Sequence, residues 1–269
     1  VLGIRLAAPA APQTENDILV GFSRSGDEKW RLTPKFKLAC GKEDFSGPWT
    51  ISSVVFGQGD NNPKIYASFR SHTYWPSMLL EIDAAGKERL IYVQTGWIRA
   101  MAEWRTPRGH FLAVGGVYNE FDHPSTTLID LNGPPAVSPH SDPRFNCDGL
   151  PTGQPVAAYL WPTLDVMAQS AYPMNTDVMA LENGLRIQLE ETGGDAIGEL
   201  NNDLDVRTFA LADNYWTLHR RREAEGYVNH TAETCPERTR PQPIEKWTPA
   251  TGWVHSTILP TVRQTVQKK

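Results

Sequence analysis

Short runs of β-favouring residues, separated by Gly-bearing turns, recur along most of the chain. The clearest group consists of consecutive runs over residues 49–56, 64–69, 78–82 and 89–93, with a tight turn at residues 83–86. Such runs, rich in Val, Ile, Tyr, Phe and Thr and bounded by turn residues, predict β-strands. The group occupies about 45 residues, which is the length of one four-stranded unit of a repetitive β fold.

The same order of strands is predicted twice more. In the second group a Pro-rich stretch, residues 134–154, delays the fourth strand, and in the third group Asn183-Gly184 predicts a two-residue hairpin turn. The second group comprises residues 97–104, 110–115, 126–131 and 156–160. The third group comprises residues 176–181, 185–189, 196–200 and 204–210.

One helix is predicted to interrupt this β pattern near residues 214–225. Asp213 is its predicted N-cap and Gly226 its predicted C-cap, and an aromatic side including Trp216 is expected to pack inward. A second segment stays open, because Thr163 can begin a short helix whereas residues 165–169 can equally form a strand.

The two ends of the chain each offer two strands, in residues 17–32 and 245–258. Pairing the two ends in one sheet would complete a ring without leaving a long exposed edge. We therefore predict an all-β fold, a β-propeller of four or five blades, closed by pairing of the N- and C-terminal strands. The predicted organisation is an N-terminal extension or tether at residues 1–16, a single domain at 17–262 and a polar tail at 263–269.

Three cysteines, Cys40, Cys147 and Cys235, lie far apart and form no CxxC pair, so their spacing does not predict a structural zinc site. Three cysteines allow one disulfide and one remaining thiol. Cys147 and Cys235 both lie in turn-rich segments, where an exported protein would place a disulfide, and the pairing stays open. The apolar, Ala/Pro-rich start of the chain suggests the remnant of a processed signal or anchor, or a cloning boundary. We expect an extracytoplasmic location, with a membrane tether as one alternative.

Charge argues against nucleic acid as a partner. The chain carries a net charge of −5, and its densest basic run, residues 220–222, is followed by Glu223 and Glu225, which is typical of a solvated helix surface. No Gly-x-Ser-x-Gly elbow, phosphate-binding Gly loop, HxH or HExxH motif occurs. No cofactor and no catalytic residue is predicted, and a protein that is not an enzyme is favoured.

Two loops that join second and third strands are rich in groups suited to recognition. In a propeller such loops meet on one surface, where aromatic, amide, carboxylate and imidazole groups would contact a peptide or sugar. The structural alternative is that the aromatic residues cover strand ends, and that the Asn and Asp side chains form hydrogen bonds to the backbone of the turns. The candidate binding residues are Arg70, His72, Tyr74, Trp75, Tyr118, Asn119, Glu120, Asp122 and His123. Glu120, Asp122 and His123 resemble a cation-ligand set, but such residues often share a loop by chance, and no metal site is predicted.

Residues 23–30, Ser-Arg-Ser-Gly-Asp-Glu-Lys-Trp, resemble a degraded Asp-box, the turn motif of sialidase-like propellers. The Ser-to-Trp spacing matches, whereas Asp and Gly are displaced and the motif does not repeat. Residues 80–86 and 112–120 are similar to segments of bacterial propeller repeat proteins of unassigned function. The resemblance covers about half of the chain and implies a fold alone, so no catalytic residue is carried over.

These observations lead to one favoured function and two alternatives. The favoured function is a non-enzymatic binding or scaffold module that presents a loop surface to a protein or glycan partner. The first alternative is a glycosidase-like hydrolase with paired carboxylates in a central funnel. The second is a structural subunit of a larger membrane-associated or extracellular assembly, which would expose a broad apolar patch.

Overall fold

Strands dominate the described chain because β-branched and aromatic residues alternate with polar residues between turns. A computed structural model describes residues 3–7, 16–40, 43–57, 63–71, 76–164, 174–191 and 194–262, with backbone alone for 3–7, 191 and 262. The chain divides into two compact units. Unit 1 comprises residues 1–98 and 133–155, and unit 2 comprises residues 99–132 and 156–269.

The strands and the single α-helix of the described residues follow one another along the chain with two 3-10 turns, Pro143–Phe145 and Pro236–Arg238. The strands are β1 (Gly3–Ala7), β2 (Ile18–Phe22), β3 (Glu28–Leu32), β4 (Leu38–Cys40), β5 (Glu43–Phe45), β6 (Trp49–Phe56), β7 (Ile65–Ser71), β8 (Ser77–Ile82), β9 (Glu88–Gln94), β10 (Ile98–Thr106), β11 (Gly109–Tyr118), β12 (His123–Asp130), β13 (Ala136–Val137), β14 (Cys147–Asp148), β15 (Ala157–Leu160), β16 (Met174–Leu181), β17 (Gly184–Glu191), β18 (Gly194–Leu200), β19 (Val206–Leu211), β20 (Gln242–Thr248), β21 (Gly252–Ile258) and β22 (Thr261–Val262). The helix is α1 (Asp213–Ala224).

Unit 1 is built on a five-stranded sheet with the order β13-β9-β8-β7-β6. Strands β6 to β9 form the predicted antiparallel meander, and β13 adds to β9 in parallel. Trp49, Phe69 and Met78 are fully buried in the core of this unit. Two three-stranded sheets complete it, with the orders β1-β2-β3 and β14-β4-β5.

A disulfide joins Cys40 to Cys147 in unit 1. The two residues lie opposite each other where β14 pairs with β4, so the strand pairing brings the sulfur atoms together. Cys235 is buried and forms no disulfide. The structure thus contains one disulfide and one remaining thiol, and Cys147 is bridged to Cys40 rather than to Cys235 because β14 pairs with β4.

Unit 2 contains a six-stranded sheet, β10-β11-β12-β15-β20-β21, and a five-stranded sheet, β16-β17-β18-β19-β22. Both contain a predicted four-stranded meander, and β15 is the predicted delayed strand beside β12. The ring of Trp161 stacks between Tyr159 and Phe209, with centroid distances of 6.3 and 6.4 Å. Gly198 is required here, because a Cβ atom at this position would lie 2.5 Å from the Trp161 ring.

A buried hydroxyl connects the two sheets of unit 2. Thr126 Oγ1, on β12, accepts hydrogen bonds from Trp161 Nε1 and from Asn175 Nδ2 on β16, each 2.9 Å long. Asn175 also donates to the Ser125 carbonyl at 3.3 Å. Thr126 and Asn175 are fully buried. Without the Thr126 hydroxyl and the Ser125 carbonyl as acceptors, the N–H groups of Trp161 and Asn175 would be buried without hydrogen bonds, which would lower the free energy of unfolding.

The predicted pairing of the N- and C-terminal strands in one sheet is not found among the described residues. The N-terminal strands β2 and β3 pair with β1, whereas the C-terminal strands β20 and β21 extend from β15. The reason is that β15 offers an open edge to β20, and residues 3–7, predicted as part of an extension, supply a partner for β2. No closed sheet occurs among the described residues, and the blade number stays a prediction.

The predicted helix is confirmed with different ends. Its N-cap is Ala212, which makes no side-chain cap bond, and Asp213 lies in the first turn. At the other end the cap is Glu225, followed by Gly226 with a φ of 76°. The N–H groups of Gly226 and Tyr227 bond the carbonyls of Glu223 and Arg222, which is a Schellman motif. No described helix is both long and apolar enough to cross a membrane.

Parts of the sequence predictions fall outside the described residues. These are the segment 165–173, whose helix or strand character stays open, most of the predicted extension, and the predicted tail at 263–269.

Replacing both bridged cysteines, Cys40→Ser and Cys147→Ser, is expected to lower the free energy of unfolding by about 2–5 kcal/mol. The bridge spans 107 residues, so it strongly restricts the unfolded chain. Urea denaturation measures the loss, and a reductant should destabilise the wild type but leave the double variant unchanged. An unreduced digest must contain the linked Cys40 and Cys147 peptides, and a linkage through Cys235 would contradict the assignment.

Thr126→Val is expected to lower the free energy of unfolding by about 1–3 kcal/mol, because it leaves the buried Trp161 N–H without its acceptor. In a Trp161→Phe background the same substitution should cost about 1 kcal/mol less, since no indole N–H remains to be stranded. A double-mutant cycle by thermal or urea denaturation gives this coupling. Equal costs in both backgrounds would show that the hydrogen bond does not stabilise unit 2.

Candidate functional site

Of the residues predicted in the first loop, Arg70 alone is described. It lies in β7 of unit 1, and its guanidinium carbon is 4.6 Å from the centroid of the Trp97 ring, which is a cation–π contact. His72, Tyr74 and Trp75 lie outside the described residues. The hypothesis that this loop shares one surface with residues 118–123 of unit 2 stays a prediction.

Residues 119–122, here called the β11–β12 loop, lie between Tyr118 and His123, whose side chains form hydrogen bonds within unit 2. Tyr118 and His123 lie opposite each other at the ends of β11 and β12. The fully buried Tyr118 hydroxyl lies 2.5 Å from Thr127 Oγ1, and His123 Nδ1 lies 2.9 Å from the Trp161 carbonyl, to which it donates. These two predicted binding residues therefore stabilise the ends of the loop.

The middle of the loop is more accessible. Asn119 and Glu120 are half-buried, and Asp122 is exposed with a left-handed φ of 52°. Phe121 points its ring against Trp253 of β21 in a T-shaped contact with a centroid distance of 5.3 Å. Glu120, Asp122 and His123 do not gather as metal ligands among the described residues.

The C-terminal hairpin, β20–β21, continues this surface. Trp247 and Trp253 are cross-strand partners, and both are half-buried beside Phe121. We call Phe121, Trp247 and Trp253 the aromatic surface. Partly exposed aromatic side chains of this kind are enriched where proteins bind partners.

The opposite side of the same hairpin borders a cleft of about 630 Å³. Side chains alternate along a strand, so the residues next to Trp247 and Trp253 point to this side. Lys246 forms an ion pair with Asp205 at 2.8 Å on the border of the cleft, and the exposed fraction of Val254 is 48%. The residues lining the cleft are Asp205, Val206, Ile244, Lys246, Thr248, Thr251, Val254, Ser256, Thr257 and Ile258.

Three further residues, His219, His230 and Cys235, form a cluster that sequence reasoning missed. Their candidate ligand atoms all lie within 4.8 Å of one another. We call this group the His–Cys cluster. His219 lies on α1, which packs on β18, while His230 and Cys235 lie in the segment between Gly226 and the 3-10 turn Pro236–Arg238.

The His–Cys cluster is largely enclosed. His219 is fully buried, Cys235 is 2% exposed and His230 is half-buried. Among the described residues, neither ring nitrogen of His219 has a hydrogen-bond partner, and Nε2 of His230 has none either. Burial lowers the pKa of His219, and the neighbouring His230 and Arg238 lower it further, which favours the neutral ring.

In retrospect the sequence holds a signal for the aromatic surface but none for the His–Cys cluster. Trp247 and Trp253 lie at equal distances from the hairpin turn, so hairpin pairing places them opposite each other. The His–Cys cluster has spacings of eleven and five residues across a turn-rich segment, which match no short ligand motif. Only the fold of that segment onto α1 brings the three residues together.

Comparisons with models of protein families, with curated proteins and with solved structures found no match.

Proposed function

We propose that the chain is a non-enzymatic binding module, and that an extended segment of a protein partner binds it along β21. The observation that supports this most directly is the position of β21, a sheet edge with the aromatic surface on one side and the cleft on the other. Asn119, Glu120 and Asp122 lie in the same loop as Phe121, so this site includes part of the predicted loop surface.

The edge supplies the backbone part of such recognition. Among the described residues β21 pairs with β20 alone, and residues 254–257 are exposed. An unpaired strand edge offers N–H and C=O groups to an added strand. An added strand gains affinity from these backbone bonds and specificity from pockets for alternate side chains.

The side chains around the edge supply the specific part. A partner strand beside β21 would place alternate residues against Trp253 and against the cleft, where Ile244, Val254 and Ile258 provide apolar contact. Trp residues contribute much of the energy at many protein interfaces because they bury a large, rigid area. The ion pair of Lys246 and Asp205 adds polar groups to the border of the cleft.

Two broader features belong to the same proposal. The Cys40–Cys147 disulfide supports an extracytoplasmic location, because disulfides persist in oxidising compartments. The three meanders of four antiparallel strands support a propeller of four or five blades, the fold expected from the sequence.

Site-specific photo-crosslinking in the native cell tests the proposal. A photoreactive residue in place of the exposed His255 on β21 is expected to capture one predominant protein, whereas the same residue in place of the exposed Lys87 of unit 1 should not capture it. Trp253→Ala should remove the adduct and weaken binding of the captured protein by about 30-fold or more, as for an interface hot spot. A melting curve verifies that the variant is folded.

Three outcomes would contradict the proposal. Adducts that form equally from positions 255 and 87 would remove β21 as the binding site. Binding to a glycan array that Trp253→Ala abolishes, without a protein adduct, would assign the aromatic surface to a carbohydrate. Release of sugar from an oligosaccharide panel by the full chain would favour the hydrolase alternative.

A further inference from the structure

We propose that His219, His230 and Cys235 bind a zinc ion that links the segment 227–235 to α1. The primary observation is that three side chains with metal-binding atoms converge within 4.8 Å in an enclosed position. Imidazole nitrogen and thiolate sulfur are the donors that zinc prefers in proteins. This site is separate from the aromatic surface and does not depend on the proposed partner.

The state of His219 is an independent observation that points to a ligand. Its ring is fully buried, yet neither nitrogen has a hydrogen-bond partner among the described residues. A buried polar group without a partner is unfavourable, and most native proteins avoid it. A metal ion bound at one of the nitrogens would replace the missing partner.

The geometry of His230 fits the same interpretation. Its Nδ1 lies 3.3 Å from Oδ1 of Asn229, to which it donates, while Nε2 has no partner in the described part of the chain. Metal-binding histidines commonly donate their second ring N–H to a neighbouring oxygen, which orients the ring. The bond to Asn229 therefore leaves Nε2 as the nitrogen that binds the metal.

The size of the cluster is close to that of a zinc site. Bonds of about 2.0–2.1 Å to nitrogen and about 2.3 Å to sulfur separate tetrahedral ligand atoms by roughly 3.3–3.6 Å. The observed limit of 4.8 Å requires a closure of at most about 1.5 Å, within reach of side-chain rotation in a segment of turns. Three protein ligands leave a fourth position for water or another donor.

The charged groups around the cluster are of both signs, with the guanidinium of Arg238 near His219 and the carboxyl group of Glu237 near Cys235. The Glu237 carboxyl group is fully buried, accepts a hydrogen bond from the Tyr215 hydroxyl and lies 3.9 Å from the Cys235 sulfur. Zinc binding converts the Cys235 thiol to a thiolate and releases its proton to solvent. One of the two positive charges of zinc would then be balanced by the Cys235 thiolate.

Cysteine use in the rest of the chain supports the assignment. Cys40 and Cys147 are joined to each other, and Cys235 forms no disulfide with either of them. In an oxidising compartment a buried, metal-bound thiolate is protected from oxidation and exchange by limited access.

Cobalt and zinc titrations of the full chain, untagged and treated with a chelator, test this inference. One equivalent of Co²⁺ is expected to produce a thiolate-to-cobalt charge-transfer absorption, and Zn²⁺ should abolish that absorption by displacement. The dissociation constant for Zn²⁺ should lie below about 1 µM, and bound zinc should raise the melting temperature. This measurement on the wild-type chain needs no variant that must fold.

Variants then assign the ligands. His230→Gln, at a half-buried position, should weaken zinc binding by at least about 100-fold. Loss of a residue that only orients a ligand weakens metal binding by up to about 100-fold, and loss of a ligand should cost at least as much. Cys235→Ser should remove the charge-transfer absorption. His255→Gln, which changes an exposed histidine outside the cluster, should leave both properties unchanged.

The proposal would be overturned if the wild-type chain gave no thiolate absorption with Co²⁺. It would also fail if His230→Gln and His255→Gln bound zinc equally well. Strong visible thiolate-to-copper absorption with Cu²⁺, together with no zinc binding, would replace zinc by copper, since His₂Cys sets also serve copper proteins.

Discussion

Strand β15 is the element on which the arrangement of unit 2 depends. Its residues, Ala157–Leu160, are all buried and pair with β12 on one side and with β20 on the other. The six-stranded sheet can therefore continue into the C-terminal hairpin only through β15. This pairing places Trp253 beside Phe121 and creates the cleft on the opposite side, so the proposed binding surface follows from it.

Local patterns predicted the strands and their neighbours along the chain well. The three meanders were predictable because each hairpin has its own turn chemistry, such as Asn183-Gly184, and adjacent strands pair with little loop-closure entropy. The delayed strand β15 was also predictable, since its apolar run follows the Pro-rich stretch. The end of the helix was predictable from Gly226. Its N-cap is Ala212, one residue before Asp213, which the preference for a side-chain cap predicted.

Pairing between distant parts of the chain could not be predicted from the same patterns. The C-terminal hairpin can join any open sheet edge of suitable register, and only the folded sheets show that the edge belongs to β15. The partner of Cys40 was open for the same reason, because β4 and β14 are two short strands over a hundred residues apart. The His–Cys cluster depends on a turn-rich segment folding back onto α1, and no residue spacing encodes that contact.

The division of the chain between the units restricts how such a protein changes over evolutionary time. The chain passes from one unit to the other at residues 98–99, 132–133 and 155–156, so neither unit is a continuous segment. A recombination event that exchanges one stretch of sequence would bring part of each unit and disrupt both. New binding properties are therefore expected to arise by substitution at exposed positions such as Asp122, rather than by exchange of whole modules.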